Sequence, residues 1–196
     1  AAARDGMTRG KGGKAVGAGA SPVATVATVH YDDGEGTVYD YDTVSIPDNA
    51  IAVGTNSMAT GANSIALGAN ATTATWYSDE MQMAFAPNNA IAIGNWSWAE
   101  GNAAMAIGAF SVASSNASTA VGMESFALGI GSSAFGQGAM ATGHASLAAG
   151  QTAEAGGFAS TAVGASSVAN NDGATALGAM STAAGQMSVA IGGQAA

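Results

Sequence analysis

Most of the chain repeats a unit of seven residues, in which small residues at fixed positions alternate with larger ones. Stepping by seven from Gly94 to Gly192 meets glycine at thirteen of fifteen positions, and alanine lies two residues before each position from Gly101 onward. Serine or alanine lies two residues before each of those alanines, so the small residues share one face of an extended segment. Each unit therefore predicts a short β-strand that ends at a tight turn. Of the two exceptions, Ser115 and Asn171, we expect Asn171 to replace glycine at a positive φ.

Successive units differ, so the true period is fourteen. In every second unit except that of Ala149 the residue before the glycine is large and apolar, as in Ile93 and Leu177. The units between carry mostly small or polar residues there. A helical heptad is excluded, because one glycine per seven residues and no leucine seam do not suit a coiled coil. The pattern predicts an all-β fold, a flattened parallel β-roll of 14-residue coils with alanine and serine inside. Stacked coils would pair at about 4.8 Å.

Large apolar side chains from the same strand of each coil predict a column on the outside of this roll. Soluble monomers rarely expose such a stripe, and full burial of each side chain would contribute about 1.5–3 kcal/mol. We therefore expect a closed cyclic assembly around the column, although periodicity leaves the number of chains open. The predicted interface residues are Ile65, Leu67, Ile91, Ile93, Met105, Ile107, Val121, Phe135, Val163, Leu177, Val189 and Ile191.

A second outward column is predicted on the alternate strand, where Glu154 interrupts it. We favour a second face between neighbouring chains, and the rival interpretation is a patch that binds a ligand. Trp76 and Tyr77, in an insertion described below, are candidates for the same two roles. The column consists of Met58, Trp98, Val112, Phe126, Met140 and Val168.

Three units carry a family resemblance: Asn49–Gly54 (NAIAVG), Asn63–Gly68 (NSIALG) and Asn89–Gly94 (NAIAIG). They resemble the NSVAIG-type repeats in the heads of YadA-like trimeric autotransporter adhesins, and the resemblance covers about residues 48–192. It implies a left-handed roll, a homotrimer, and display on the bacterial cell surface through outer-membrane anchoring regions absent from this chain. It also implies cell adhesion to host receptors or extracellular-matrix proteins, autoaggregation and a role in virulence.

The chain divides into a non-repeating segment, residues 1–47, and the repeats of residues 48–196, with an insertion at about 76–87. The first segment predicts a flexible start and a β-hairpin, with strands at 23–29 and 37–44, that caps the roll. Its acidic residues offer oxygen ligands for Ca²⁺, but their spacing is not that of an EF-hand, so a solvated acidic turn is favoured. These residues are Asp32, Asp33, Glu35, Asp40 and Asp42.

The charge and the reactive residues exclude several functions. The formal net charge is −9 and all four basic residues precede residue 15, so the main body lacks the basic surface that nucleic acid requires. No run of about 18 apolar residues is present, which predicts that this fragment does not insert into a membrane. Single carboxylates, two distant histidines (His30 and His144) and no cysteine predict neither an enzyme nor a cofactor or metal site.

Three functions remain in order of preference. The first is a non-catalytic adhesin head that binds a host-cell receptor or a matrix protein. The second is a structural trimeric spacer or fibre segment without a ligand of its own. The third is an ice-binding solenoid, which ranks last because the threonines form no regular array.

Overall fold

The computed structural model describes residues 49–73 and 86–196 in full and, elsewhere, only the backbone of strands at 14–16, 25–32, 38–45, 76–78 and 83–85. Every regular element in these ranges is a β-strand, and they contain no helix. Each 14-residue coil gives one three-residue strand to one sheet and one two-residue strand to another. The predicted all-β parallel β-roll is confirmed.

The first wall of the roll, which we call the long-strand sheet, has eleven parallel strands in the described part of the chain. Residues fourteen apart pair across it, such as Ile91 with Met105 and Ile93 with Ile107. In the strands from Ile51 onward, the middle residue points into the roll and the two flanking residues point outward. The strands are β1 (Lys14–Val16), β4 (Ile51–Val53), β6 (Ile65–Leu67), β10 (Ile91–Ile93), β12 (Met105–Ile107), β14 (Thr119–Val121), β16 (Ser133–Phe135), β18 (Leu147–Ala149), β20 (Thr161–Val163), β22 (Thr175–Leu177) and β24 (Val189–Ile191).

The second wall, the short-strand sheet, has nine parallel strands of two residues among the described ranges. The first residue of each points outward and the second points into the roll. The strands are β5 (Met58–Ala59), β7 (Thr72–Thr73), β11 (Trp98–Ala99), β13 (Val112–Ala113), β15 (Phe126–Ala127), β17 (Met140–Ala141), β19 (Glu154–Ala155), β21 (Val168–Ala169) and β23 (Thr182–Ala183).

Alanine fills the space between the two walls. The inward strand residues are fully buried, as at Ala92, Ala106 and Ala113. Such small side chains let the two backbones approach closely but bury little apolar area per coil. Backbone hydrogen bonds between adjacent coils therefore contribute much of what holds the stack of coils together. One example is the bond from the amide of Gly108 to the carbonyl of Ile93 at 2.8 Å.

Glycine is favoured at the two corners of each coil for two different reasons. After each long strand from Ile51–Val53 onward the glycine has a positive φ, such as 135° at Gly122, which residues with a side chain rarely adopt. At the opposite corner the requirement is space, because a Cβ on Gly143 would lie 1.9 Å from the carbonyl oxygen of Gly157. The period of seven in the sequence thus combines two requirements, each with a period of fourteen.

Asn171 stands at the second kind of corner and does not have a positive φ, so the expectation for this residue is wrong. Its side-chain amide instead donates to the carbonyl of Ala184 in the next coil at 2.7 Å. Ser115 replaces glycine at the same kind of corner, and its hydroxyl donates to the carbonyl of Leu128 at 2.6 Å. Both replacements are polar side chains that bind a carbonyl of the next coil.

A left-handed residue follows two positions after each corner residue. Its φ is close to 55° even for Trp96, Ala117 and Glu124, although this conformation costs a residue other than glycine about 1–2 kcal/mol. The coil-to-coil hydrogen bonds impose it, as when the amide of Trp96 donates to the carbonyl of Ala69 at 3.0 Å. Where asparagine occupies the position, the side chains also form ladders, with Asn49 donating to Asn63 at 3.2 Å.

Buried serines brace the corners. The hydroxyl of Ser118 donates to the carbonyl of Ser115 at 2.6 Å, and that of Ser146 donates to the carbonyl of Gly143 at 2.7 Å. Ser132 lies at an equivalent buried place, yet its hydroxyl has no hydrogen-bond partner among the described residues. Ser132 therefore differs from Ser118 and Ser146, which lie in the same setting, because its hydroxyl is unsatisfied.

We expect Ser132→Ala to leave the free energy of unfolding unchanged or to raise it by up to about 1 kcal/mol, because it removes an unpartnered buried hydroxyl. Ser118→Ala, the matched control, should lower the free energy of unfolding by about 1 kcal/mol, because it removes a hydrogen bond. Denaturant titration followed by circular dichroism measures both. Equal losses would show that the Ser132 hydroxyl has a partner after all.

The segment of residues 1–47 adds two features. Strand β1 pairs in parallel with β4 and so extends the long-strand sheet from within the segment 1–47. Strands β2 (Thr25–Asp32) and β3 (Val38–Ser45) form an antiparallel pair at nearly the bounds predicted, while the turn between them lies outside the described residues. That this pair caps the roll stays a prediction.

The insertion forms an antiparallel pair of its own, β8 (Trp76–Ser78) with β9 (Met83–Phe85). The long-strand sheet continues past it in register, because Ile65 pairs with Ile91 across the gap. Just before the insertion, two hydrogen bonds join Thr60 and Thr73. The amide of Thr60 donates to the hydroxyl of Thr73 at 2.9 Å, and the hydroxyl of Thr60 donates to the carbonyl of Thr73. Both walls of the roll thus continue across the insertion.

Candidate binding surfaces

The outer face of the long-strand sheet is the most continuous apolar surface of the described residues. All twelve predicted interface residues lie on it, in two columns whose partners are fourteen residues apart outside the insertion. From Ile51 to Ile191 neither column contains a charged residue. Most of the twelve are half-buried by their neighbours, and the exposed ones are Phe135, Val163, Val189 and Ile191.

The two columns differ in composition. The one that includes Val53, Ile107 and Leu177 is apolar throughout, with Ala149 its smallest member. The other begins with isoleucine and methionine and from Thr119 onward is mostly threonine and serine. The apolar surface is therefore two residues wide at the N-terminal end of the roll and mostly one residue wide towards its C-terminal end.

The outer face of the short-strand sheet is more mixed. It brings together Trp98, Val112, Phe126 and Met140, as the sequence predicts for the second column. Glu154 lies in the same column, where its carboxylate accepts a hydrogen bond from the amide of Asn170 at 2.9 Å. That this column is a second face between neighbouring chains stays a prediction. The carboxylate in mid-column argues for contact with water instead, because a charge without a counter-ion is costly to bury at an apolar interface.

A groove of about 270 Å³ lies where the short-strand sheet meets the corner that follows the long strands. We call it the Trp96–Trp98 groove. The hydroxyl of Ser97, between the two tryptophans, donates to the carbonyl of Gly94 at 3.1 Å and so holds the corner from inside. The groove is lined by Asn56, Met58, Asn70, Thr72, Trp96 and Trp98.

Sequence reasoning identified Trp98 but missed the corner residues. Trp96 and Phe110 are half-exposed, and each lies two residues after a corner glycine, at the left-handed position. The signal was present in the sequence, because that position is asparagine in the preceding coils, at Asn56 and Asn70. An aromatic residue in a place that favours asparagine marks these two coils as unusual.

Charge is sparse on the described surface. The fully described ranges contain four acidic residues, Glu100, Glu124, Glu154 and Asp172, and no lysine or arginine. Burial raises the pKa of the Glu100 carboxyl above its usual value. Within these ranges no three acidic or histidine side chains converge as a metal site, and no helix is long and apolar enough to span a bilayer.

The other candidates of the sequence are placed as follows. His144 is exposed just after the corner at Gly143, where a turn residue was expected. The side chains of Trp76 and Tyr77 lie outside the described residues, and so do those of His30 and the acidic hairpin. The roles suggested for these residues therefore stay predictions from the sequence.

Comparison with known families settles what kind of repeat forms this roll. The YadA head domain repeat, in its two-copy form, matches residues 48–71, 88–111, 99–125, 127–153 and 155–181, which together exceed half of the chain. The chain belongs to the YadA head domain family. The matched segments of this YadA-type head leave out residues 72–87, where the strand pair β8–β9 leaves the roll.

Comparisons with individual proteins add a similar solved structure. No curated protein matches the YadA-type head in sequence. Among solved structures it is similar to the collagen-binding domain of the Yersinia adhesin YadA, with 26% identity, a TM-score of 0.48, and coverage of 87% of this chain and 80% of that one. The family of this head is one of adhesins rather than of enzymes, and it implies a surface-exposed trimeric autotransporter.

Proposed function

We propose that this chain is the non-catalytic head of a homotrimeric outer-membrane adhesin that binds host cells or extracellular-matrix proteins and mediates autoaggregation. Membership of the YadA head family is the observation that carries the proposal. The described surface supports it, because it offers broad apolar and aromatic faces and no cluster of reactive or metal-binding side chains. Such faces suit the binding of large partners rather than chemistry.

We expect three chains to associate through the outer face of the long-strand sheet. Each chain would form a left-handed roll, as in the family. Its two outward columns carry no charge between Ile51 and Ile191. A carboxylate at an interface loses its hydration, whereas aliphatic side chains gain free energy when water leaves. Three copies around one axis would bury these columns against one another and leave the short-strand sheet, with Glu154, open to water.

Binding of the purified chain to immobilised fibronectin, laminin and collagen, and to cultured epithelial cells, tests the adhesive function. We expect saturable binding to at least one of these surfaces and none to immobilised albumin. Beads coated with the chain should clump if the head also mediates autoaggregation. Absence of saturable binding to every surface would contradict the adhesive function and favour a spacer segment without a ligand.

A further inference from the structure

Exposed aromatic side chains are concentrated at two adjacent coils of the roll. Trp96 is 55% exposed, Trp98 is 47% exposed, and Phe110 in the next coil is 50% exposed. They lie on and beside the short-strand sheet, the wall that the proposed trimer leaves open. Large aromatic residues gathered in contact with water are typical of a binding surface.

Trp96 occupies its corner at a cost to the fold. Its φ of 55° is one that asparagine accepts readily and tryptophan does not. In the preceding coils Asn56 donates to the side-chain oxygen of Asn70 at 3.4 Å. The amide ladder stops at Asn70, because the indole that follows offers no acceptor. The side-chain amide of Asn70, at the end of this ladder, therefore lines the groove beside the indole of Trp96.

The groove is uncharged but can both donate and accept hydrogen bonds. No acidic or basic residue lines it, so a charged ligand would lose hydration there without gaining an ion pair. The side-chain amides of Asn56 and Asn70 can each donate and accept. The hydroxyl of Thr72 donates to the Asn70 carbonyl at 3.4 Å and so accepts from a ligand. A matching ligand is neutral, has a flat apolar face for an indole, and carries groups at its rim that donate as well as accept.

A pyranose ring meets these requirements, since one of its faces presents C–H groups and its edge presents hydroxyls. A proline-rich peptide meets fewer of them, because proline has no backbone N–H to give to the asparagine oxygens. The volume of about 270 Å³ is at the small end for ligand pockets, which suits one ring rather than a long chain.

We infer that the Trp96–Trp98 groove binds an uncharged pyranose unit of a glycan, with an indole against the ring and Asn70 and Thr72 at its hydroxyls. The inference rests on the adhesive function proposed above, because it names the chemistry of one receptor. It adds a site that neither the repeat pattern nor the family assignment specifies.

A glycan array probed with the full chain is the first test, and saturation-transfer NMR with the methyl glycosides of galactose, mannose and N-acetylglucosamine is the second. We expect at least one neutral sugar to bind and to receive saturation on its C–H face. Sialic acid and heparin fragments should not bind. Trp98→Ala should weaken binding by about tenfold or more, the usual effect of removing an aromatic stacking platform.

Trp96→Asn separates binding from folding. Asparagine suits the φ at this corner and would extend the ladder of Asn56 and Asn70, so we expect an unchanged or higher Tm together with binding that is about tenfold weaker or worse. Phe158→Ala is the matched control, because Phe158 is an aromatic residue 62% exposed at the opposite corner. It should leave glycan binding as it is.

The inference is overturned if no neutral sugar binds, or if Trp98→Ala and Trp96→Asn bind as tightly as the original chain. Binding of a triple-helical proline-rich peptide that requires Trp98, with no sugar binding, would assign the groove to a peptide instead. Loss of oligomer mass in Trp98→Ala would assign it to a second copy of the chain.

Cell adhesion distinguishes failure of this inference from failure of the proposed function. If the original chain and Trp96→Asn adhere equally well, the groove is not the receptor site and the adhesive function stands. If the chain binds a sugar on the array but adheres to no cell or matrix surface, the site stands and the adhesive function fails.

Discussion

Replacing Gly143 with alanine is expected to lower the free energy of unfolding by about 3 kcal/mol or more, at the upper end for an overpacked site. The new Cβ would lie 1.9 Å from the carbonyl oxygen of Gly157 in the next coil. That carbonyl belongs to the backbone of a corner, so relief of the clash requires two coils to separate and their hydrogen bonds to lengthen. Thermal and denaturant unfolding of the purified chain measures the loss.

Gly131→Ala is the matched control for Gly143→Ala. A Cβ at Gly131 would meet nothing within 4 Å, and alanine already occupies the same left-handed position at Ala117 and Ala145. We expect a loss of at most about 1–2 kcal/mol, the cost of a left-handed alanine. Equal losses at both positions would contradict the close approach of the coils at Gly143.

Ile107→Asp combined with Leu177→Asp is expected to convert the proposed trimer into single chains. Both residues lie in the apolar column of the long-strand sheet, and each carboxylate would have to lose its water to enter an interface. In a single chain the same side chains point outward and stay hydrated, so the roll itself should persist. Light scattering should fall from three times 18.7 kDa to 18.7 kDa, with an unchanged circular dichroism spectrum.

The same change on the opposite wall serves as the control. Val112→Asp with Val168→Asp places two carboxylates on the outer face of the short-strand sheet, and we expect the assembly to keep its mass. Dissociation by this pair, with the mass retained in the Ile107 and Leu177 variant, would show that the chains associate through the short-strand sheet.

The architecture was predictable from the sequence because its strongest constraint is steric and local. Two walls this close admit only alanine or serine at most inward positions, so buried residues such as Ala92, Ala106 and Ala113 recur in the sequence itself. The alternation of large and small residues before each corner then identifies the two walls. The interior, the period and the placement of both outward columns follow from these two patterns.

The corners were less predictable, because coil-to-coil hydrogen bonds override the preferences of single residues there. Asparagine marks the left-handed position only in the first coils, and further along Trp96, Ala117 and Glu124 hold it alike. The Trp96–Trp98 groove joins residues from three coils, and only the stacking of the coils reveals it. Asn171 was misjudged for a related reason, since the two kinds of corner share glycine but not its φ.

Strand β1 escaped prediction because it stands alone. Lys14–Gly17 reads KAVG, which repeats the end of the unit Ile51–Gly54, IAVG. The intervening residues separate it from the other units, so a search for a constant step does not reach it. The pairing of Ala15 with Ala52 shows that the match was meaningful.

Because residues fourteen apart pair throughout the roll outside the insertion, its height is a whole number of coils. Loss or duplication of fourteen residues, as recombination between repeats would produce, changes the height by one strand spacing of about 4.8 Å and leaves every other contact as it was. A change of seven residues would instead exchange the two walls from that point onward and divide the apolar face between opposite sides. Heads of this kind can therefore vary in reach only in whole coils.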